Sequence, residues 1–168
     1  MFNPIYSSAE IVSILACGIY FMIGLLTGVW KYIHIMKSKE HQAPVYVDIA
    51  HRAALMYAFA CLVLLAFVQI SQLTDIVELI AASSVILFFG SAIVTYIILG
   101  ITNHTDNQFK QKNIITTFGM YLLIAGEVGG FAVLLFGAVQ HILRLFLSVS
   151  IFLFLIICLL KSAIKNKL

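Results

Sequence analysis

The sequence predicts an all-α protein: a polytopic bundle of transmembrane helices formed by a single integral membrane domain over residues 1–168. Three observations carry that prediction. Hydrophobic residues make up 62% of the chain and charged residues only 10%, against about 25% charge in soluble domains. The apolar residues gather in uncharged runs of about 20, the length a helix needs to cross a bilayer. The Lys and Arg residues collect at the ends of those runs. A chain of 168 residues has room for one compact domain and none for an added soluble one.

The first span is expected at about 9–36, because residues 11–30 carry no charge. The segment before it, MFNPIYSSAE, has no Lys or Arg, and no small-residue cleavage site closes the run. A cleaved signal peptide is therefore not expected. The second span is placed at about 44–73. Pro44 suits the first turn of a helix, where its missing N–H would be unpaired in any case, and residues 53–74 are uncharged. The third span is expected at about 78–103. Residues 113–160 then form one apolar run, broken only by Glu127, His141 and Arg144. As a single helix this run would be about 70 Å long, roughly twice what a bilayer accommodates. We therefore divide it near 138–142 into a fourth span at about 114–137 and a fifth at about 143–162. The result is a four-helix core plus an extra C-terminal span.

The charges favour this division. With five spans and the N-terminus outside, Lys31, Lys37, Lys39, Arg52, Lys110, Lys112, Lys161, Lys165 and Lys167 all face the cytoplasm, and only Arg144 does not. Four spans would put the lysine-rich tail outside, against the positive-inside rule. The asymmetry suits a bacterial inner membrane, with the C-terminus cytoplasmic. The net charge of +3 does not point to nucleic acid, since topology explains where the basic residues lie. The tripeptide Asn103-His104-Thr105 fits a glycosylation sequon but falls on the cytoplasmic side in this arrangement. Cys17, Cys61 and Cys158 each sit inside an apolar run, without the spacing of a zinc or iron–sulfur site, and are expected to pack as small hydrophobes. Gly24 with Gly28, and Gly126 with Gly130, form GxxxG spacings that would let helix backbones approach closely.

The polar residues inside the spans are the candidates for function. Asp48 and Arg52 stand four residues apart at the start of the second span and can pair on one face. His51 points elsewhere, with Ala54, Leu55, Ala58 and Leu62 at helical spacing behind it. Two readings of His51 stand side by side. It is either an interfacial histidine bonded to a headgroup or a carbonyl, or a metal ligand. Alone it makes a poor zinc site, but it suffices as one axial ligand of haem, whose porphyrin supplies the other four donors. Ala53, Ala54 and Ala58 would leave room for a flat ring. Tyr57 and Tyr96 lie inside the hydrocarbon, where a phenol needs a partner from a neighbouring helix or a ligand. Glu127 sits mid-span among glycines, either as a protonated interhelical donor or as a functional group such as a proton site. His34, His41 and His104 lie in or near loops and are expected to be solvated, as is His141 at the turn, with a second ligand as its alternative.

These residues resemble the styrene oxide isomerase family of small membrane enzymes. The likeness lies in Pro44, then six residues, then His51 preceded by Ala50, and in Tyr96 standing 45 residues after the histidine. It runs ungapped from about Pro44 to Gly137. The resemblance implies haem b bound through His51 at the interface between subunits of a homotrimer. It implies ferric iron acting as a Lewis acid on a lipophilic epoxide, which opens to a benzylic cation and becomes an aldehyde by hydride shift. It implies Tyr96 orienting the substrate beside the iron. The chain departs from the family pattern at Tyr57, where the family has an Asn that helps to place the epoxide. It departs again at Arg52-Ala53-Ala54, where the family has Ser-Gly-Pro, at Glu127, and in the extra C-terminal span. Tyr57 could instead approach the iron as a second ligand. Three functions follow: a haem-b isomerase of lipophilic epoxides; a haem-b membrane protein for electron transfer, sensing or haem handling; or a haem-free transporter or assembly subunit.

Overall fold

The apolar runs become helices because a backbone in lipid must satisfy its own hydrogen bonds. The computed structural model describes residues 6–110 and 114–165, with the backbone alone at 114–116, 148 and 152–165. Four α-helices make up the described chain: α1 at Ser8–Lys37, α2 at Val45–Ile70, α3 at Asp75–Thr102 and α4 at Ile114–Lys165. All four contain stretches long and apolar enough to cross a membrane. Lys112 and Lys167 lie outside the described residues.

Local chemistry sets the helix ends. Ser7 and Glu10 form a reciprocal capping box: the Glu10 N–H donates to Ser7 Oγ at 3.2 Å, and the Ser7 N–H donates to Glu10 Oε2 at 2.7 Å. Helix α2 starts directly after Pro44. Helix α3 begins one turn before the expected boundary. Asp75 and Glu78 occupy its first turn, where the helix dipole favours negative charge. It ends at Asn103, whose φ of 43° is left-handed, a conformation asparagine tolerates better than most residues.

Helices α2 and α3 occupy the middle. Helix α1 packs on both of them and α4 packs on both of them, whereas α1 and α4 make no contact among the described residues. The two GxxxG pairs are the close-approach points. A Cβ added at Gly24 would lie 2.5 Å from Leu55 Cδ2, and one at Gly130 would lie 2.7 Å from the Ala81 carbonyl oxygen. One at Gly126 would enter the Phe88 ring. Glycine is what lets α1 seat against α2 and α4 against α3. Polar side chains add interhelical bonds. The Tyr20 hydroxyl donates to the Ile86 carbonyl at 2.5 Å, and Ser84 Oγ donates to the Gly126 carbonyl at 3.3 Å. Cys61 is buried in the core and Cys17 half-buried, both as free thiols. Cys158 falls among the residues described by backbone alone.

The C-terminal run corrects one expectation. The turn placed at 138–142 is helical, so α4 is one helix of 52 residues, about 78 Å long at 1.5 Å per residue, and four helices long and apolar enough to cross a membrane stand among the described residues rather than five. The segment AVQHI contains no Gly, Pro or Asn to interrupt the backbone ladder. The helix passes the far end of the bundle near Gly137, which lies against Ser71 and Leu73, and His141, whose Nδ1 is 2.8 Å from the Gln72 side-chain amide. Beyond that level it carries exposed Leu143, Phe146, Leu147, Val149 and Ile151.

Candidate functional site

The first two turns of α2 hold a charge cluster and the candidate ligand. The Asp48 carboxylate pairs with Arg52 at 2.8 Å on its own helix, as the spacing predicts, and with Lys31 Nζ of α1 at 2.5 Å. Lys31 could not be found from local spacing, because the pair crosses helices. His51, one residue before Arg52, turns toward α1. Its Nδ1 lies 2.8 Å from the Gly24 carbonyl oxygen. A carbonyl only accepts, so Nδ1 carries a proton, and in that tautomer of the imidazole the lone pair is on Nε2. The imidazole lies over Gly28, where an added Cβ would meet Cε1 at 2.9 Å. The first GxxxG thus forms the seat of the histidine. No described residue hydrogen-bonds Nε2.

The room expected beside Ala54 and Ala58 is taken. Both are covered by neighbouring helices, at 0% and 1% exposure. His51 itself is half-buried at the outer seam of α1 and α2. Among the described residues no three His, Cys, Asp or Glu side chains gather as a metal site. A porphyrin, which brings four nitrogens of its own, asks the protein for little more than one such histidine.

Tyr57 and Tyr96 are brought together, on a different side of α2 from His51. Six residues past the histidine is 240° around a helix, which turns Tyr57 away from α1. Its ring stacks on Phe89 at 4.2 Å between centroids, and Tyr96 stacks on Tyr46 at 6.2 Å. Both tyrosines line a cavity of about 460 Å³ among α2, α3 and α4, together with Phe88, Ser91, Thr95 and Phe109. Ser91 and Thr95 donate their hydroxyls to carbonyls of their own helix at 2.8 Å. Neither Tyr57 nor Tyr96 has a hydrogen-bond partner for its hydroxyl among the described residues. The cavity is thus an apolar chamber with two unspent phenol groups. The Gln108 N–H donates to the Tyr46 hydroxyl at 2.6 Å, which ties the loop between α3 and α4 across one end. Tyr46 was not singled out from the sequence; only its place beside Pro44 at a span start marked it. His51 does not line this cavity.

Glu127 faces a second cavity, of about 490 Å³, between the same three helices. The remaining histidines serve locally. His34 packs edge-on against Trp30, His104 Nδ1 is 2.8 Å from the Thr102 hydroxyl, and His41 is exposed with a φ of 53°. His141, bonded to Gln72, joins α4 to the loop between α2 and α3 and lies at the opposite end of α2 from His51. No family model, curated protein or solved structure matches this chain.

Proposed function

We propose that this chain is a haem-b-dependent membrane isomerase that converts lipophilic epoxides to aldehydes. The observation that carries the reading is the hydrogen bond from His51 Nδ1 to the Gly24 carbonyl. It fixes the ring and its tautomer and leaves Nε2 as an unspent donor, which is how metal-binding histidines are held. Bound there, ferric haem would supply a Lewis acid for the epoxide oxygen. The chain's own residues supply the rest. The hydroxyls of Tyr57 and Tyr96 hold and orient the oxygen end of the substrate, and Phe88 and Phe109 hold its apolar body. Walls of this kind keep water from the reacting carbon. A substrate that partitions into lipid reaches such a cavity from within the bilayer.

Because His51 turns toward α1 while Tyr57 and Tyr96 line a cavity that His51 does not reach, a complete site takes the histidine from one copy and the tyrosines from another. The homotrimer with haem between subunits, implied by the resemblance, would allow that arrangement. The rival haem protein without isomerase activity needs a second axial ligand, and Tyr57 cannot supply one to the same chain's His51. The same reading places the protein in a bacterial inner membrane with five spans, the N-terminus outside and the C-terminus cytoplasmic, which requires α4, continuous in this structure, to break near 138–142 in the bilayer. Its support is the charge asymmetry and the exposed apolar residues of α4 past His141, which need lipid around them.

The test is the visible spectrum of the purified protein, oxidised and reduced, beside His51→Ala. A haem band in the parent that is lost or weakened in the variant is the expected result, followed by epoxide-to-aldehyde turnover. Absence of any haem band, even when haem is supplied during expression, overturns the proposal.

A further inference from the structure

The second cavity has one polar feature. Its walls come from Val63, Leu64, Val85, Phe89 and Phe131, and Glu127 is the ionisable side chain among them. Oε1 of Glu127 is buried and has no hydrogen-bond partner. The nearby Ser84 hydroxyl is satisfied by the Gly126 carbonyl, and the Tyr57 and Tyr96 hydroxyls, the other titratable groups facing Glu127, make no hydrogen bond to it. An unpaired polar atom in apolar surroundings is costly, and native proteins rarely keep one without a use. Packing does not require it. The glycines on either side, Gly126 and Gly130, make the close contacts with α3, and Oε1 makes no interhelical bond that would account for a carboxyl at this place.

We infer that the Glu127 cavity binds a lipophilic amine, with a hydrocarbon body against the apolar walls and a single basic nitrogen on the carboxyl. Charge complementarity selects this occupant. Glu127 is half-buried, and a carboxylate alone is costly against these apolar walls, whereas a ligand that brings its own positive charge offsets that cost. Attraction between opposite charges is far larger there than at a wet surface. A neutral amine entering from lipid takes the proton of the Glu127 acid and leaves an ammonium–carboxylate pair, with no net change in charge. A neutral alcohol of the same length gains one hydrogen bond and no ion pair. The volume, about 490 Å³, falls in the range of small-molecule sites. The stack of Tyr57 on Phe89 forms the wall toward the first cavity, since each ring lines one of the two chambers. The inference does not depend on haem.

The experiment follows labelling of Glu127 by dicyclohexylcarbodiimide, a reagent for protonated carboxyls in apolar surroundings. It uses the full chain in phosphatidylcholine nanodiscs, with the modified peptide read by mass spectrometry. Dodecylamine is expected to slow labelling at Glu127 at least about tenfold, while dodecanol at the same concentration changes it less than about twofold. Dodecylamine is also expected to raise the melting midpoint of the parent and not of Glu127→Gln, which keeps the shape of the side chain. Three results overturn the proposal. Dodecanol and dodecylamine could protect equally, which would make the groove a seat for any acyl chain. Glu127 could fail to react at all, or the amine-induced rise could persist in Glu127→Gln.

Discussion

Replacing Gly28 by alanine tests whether the first GxxxG holds His51. The added methyl carbon would stand 2.9 Å from His51 Cε1 and 3.1 Å from Nδ1, where ordinary contact begins at 3.4 Å. The ring must retreat by about 0.5 Å. If it moves along the hydrogen bond, the separation from the Gly24 carbonyl grows from 2.8 Å to about 3.3 Å, outside the usual range. Losing an interhelical bond in a membrane costs on average about 0.6 kcal/mol. Crowding a packed seam costs about 1–3 kcal/mol, and alanine returns up to about 1 kcal/mol of helix propensity. The net is a loss of about 1–2 kcal/mol. Gly18→Ala is the control, since nothing lies within 4 Å of its added carbon. Only the propensity gain applies there. Reversible unfolding in mixed micelles gives both differences, and nitrogen NMR of the imidazole reports the tautomer. The reasoning is refuted if Gly28→Ala is as stable as Gly18→Ala and keeps its proton wholly on Nδ1.

Other outcomes follow from the same geometry. Tyr57→Phe and Tyr96→Phe each remove one free hydroxyl from the cavity. Each should lower epoxide kcat/KM about 2- to 10-fold, the worth of one hydrogen bond, with haem content unchanged; steady-state assays on protein normalised to haem decide this. Tyr20→Phe deletes the bond to the Ile86 carbonyl and should lower stability by about 1 kcal/mol without moving the visible spectrum, measured by the same unfolding assay. On the proposed five-span topology, with Cys17, Cys61 and Cys158 changed to serine, Leu168→Cys should resist an impermeant maleimide on intact cells and react in inverted vesicles. Labelling on intact cells would restore a four-span arrangement.

Much of the architecture could be read from the apolar runs. The first three spans, expected at about 9–36, 44–73 and 78–103, form α1, α2 and α3 with ends shifted by a turn or less. The pairing of Asp48 with Arg52 was legible because it is local. What escaped was set by neighbours. Lys31 reaches Asp48 from another helix, and Tyr46 reaches Gln108 across 62 residues of chain. The small surface facing His51 was sought behind it on α2, at Ala54 and Ala58. It lies instead at Gly24 and Gly28 of α1, and the GxxxG already noted there was the available signal. Ser7 and Glu10 had the spacing of a capping box and could have fixed the start of α1. The expected turn at 138–142 rested on bilayer thickness and on the positive-inside rule, both properties of the surroundings, and no residue in AVQHI encodes a break.

The helix order also governs how defects combine. The contacts of Gly24 and Gly28 with α2 form one seam, and those of Gly126 and Gly130 with α3 form another. The flanking helices make no contact among the described residues. Perturbations at distant sites with no shared partner add to within about 0.5 kcal/mol. Damage to one seam and damage to the other should therefore sum, with little coupling energy in a double-mutant cycle. Residues reaching both α1 and the centre, Tyr20 above all, are where additivity should fail. The bundle behaves thermodynamically as two independent joints on a common pair of posts, and sequence change at one can accumulate without consulting the other.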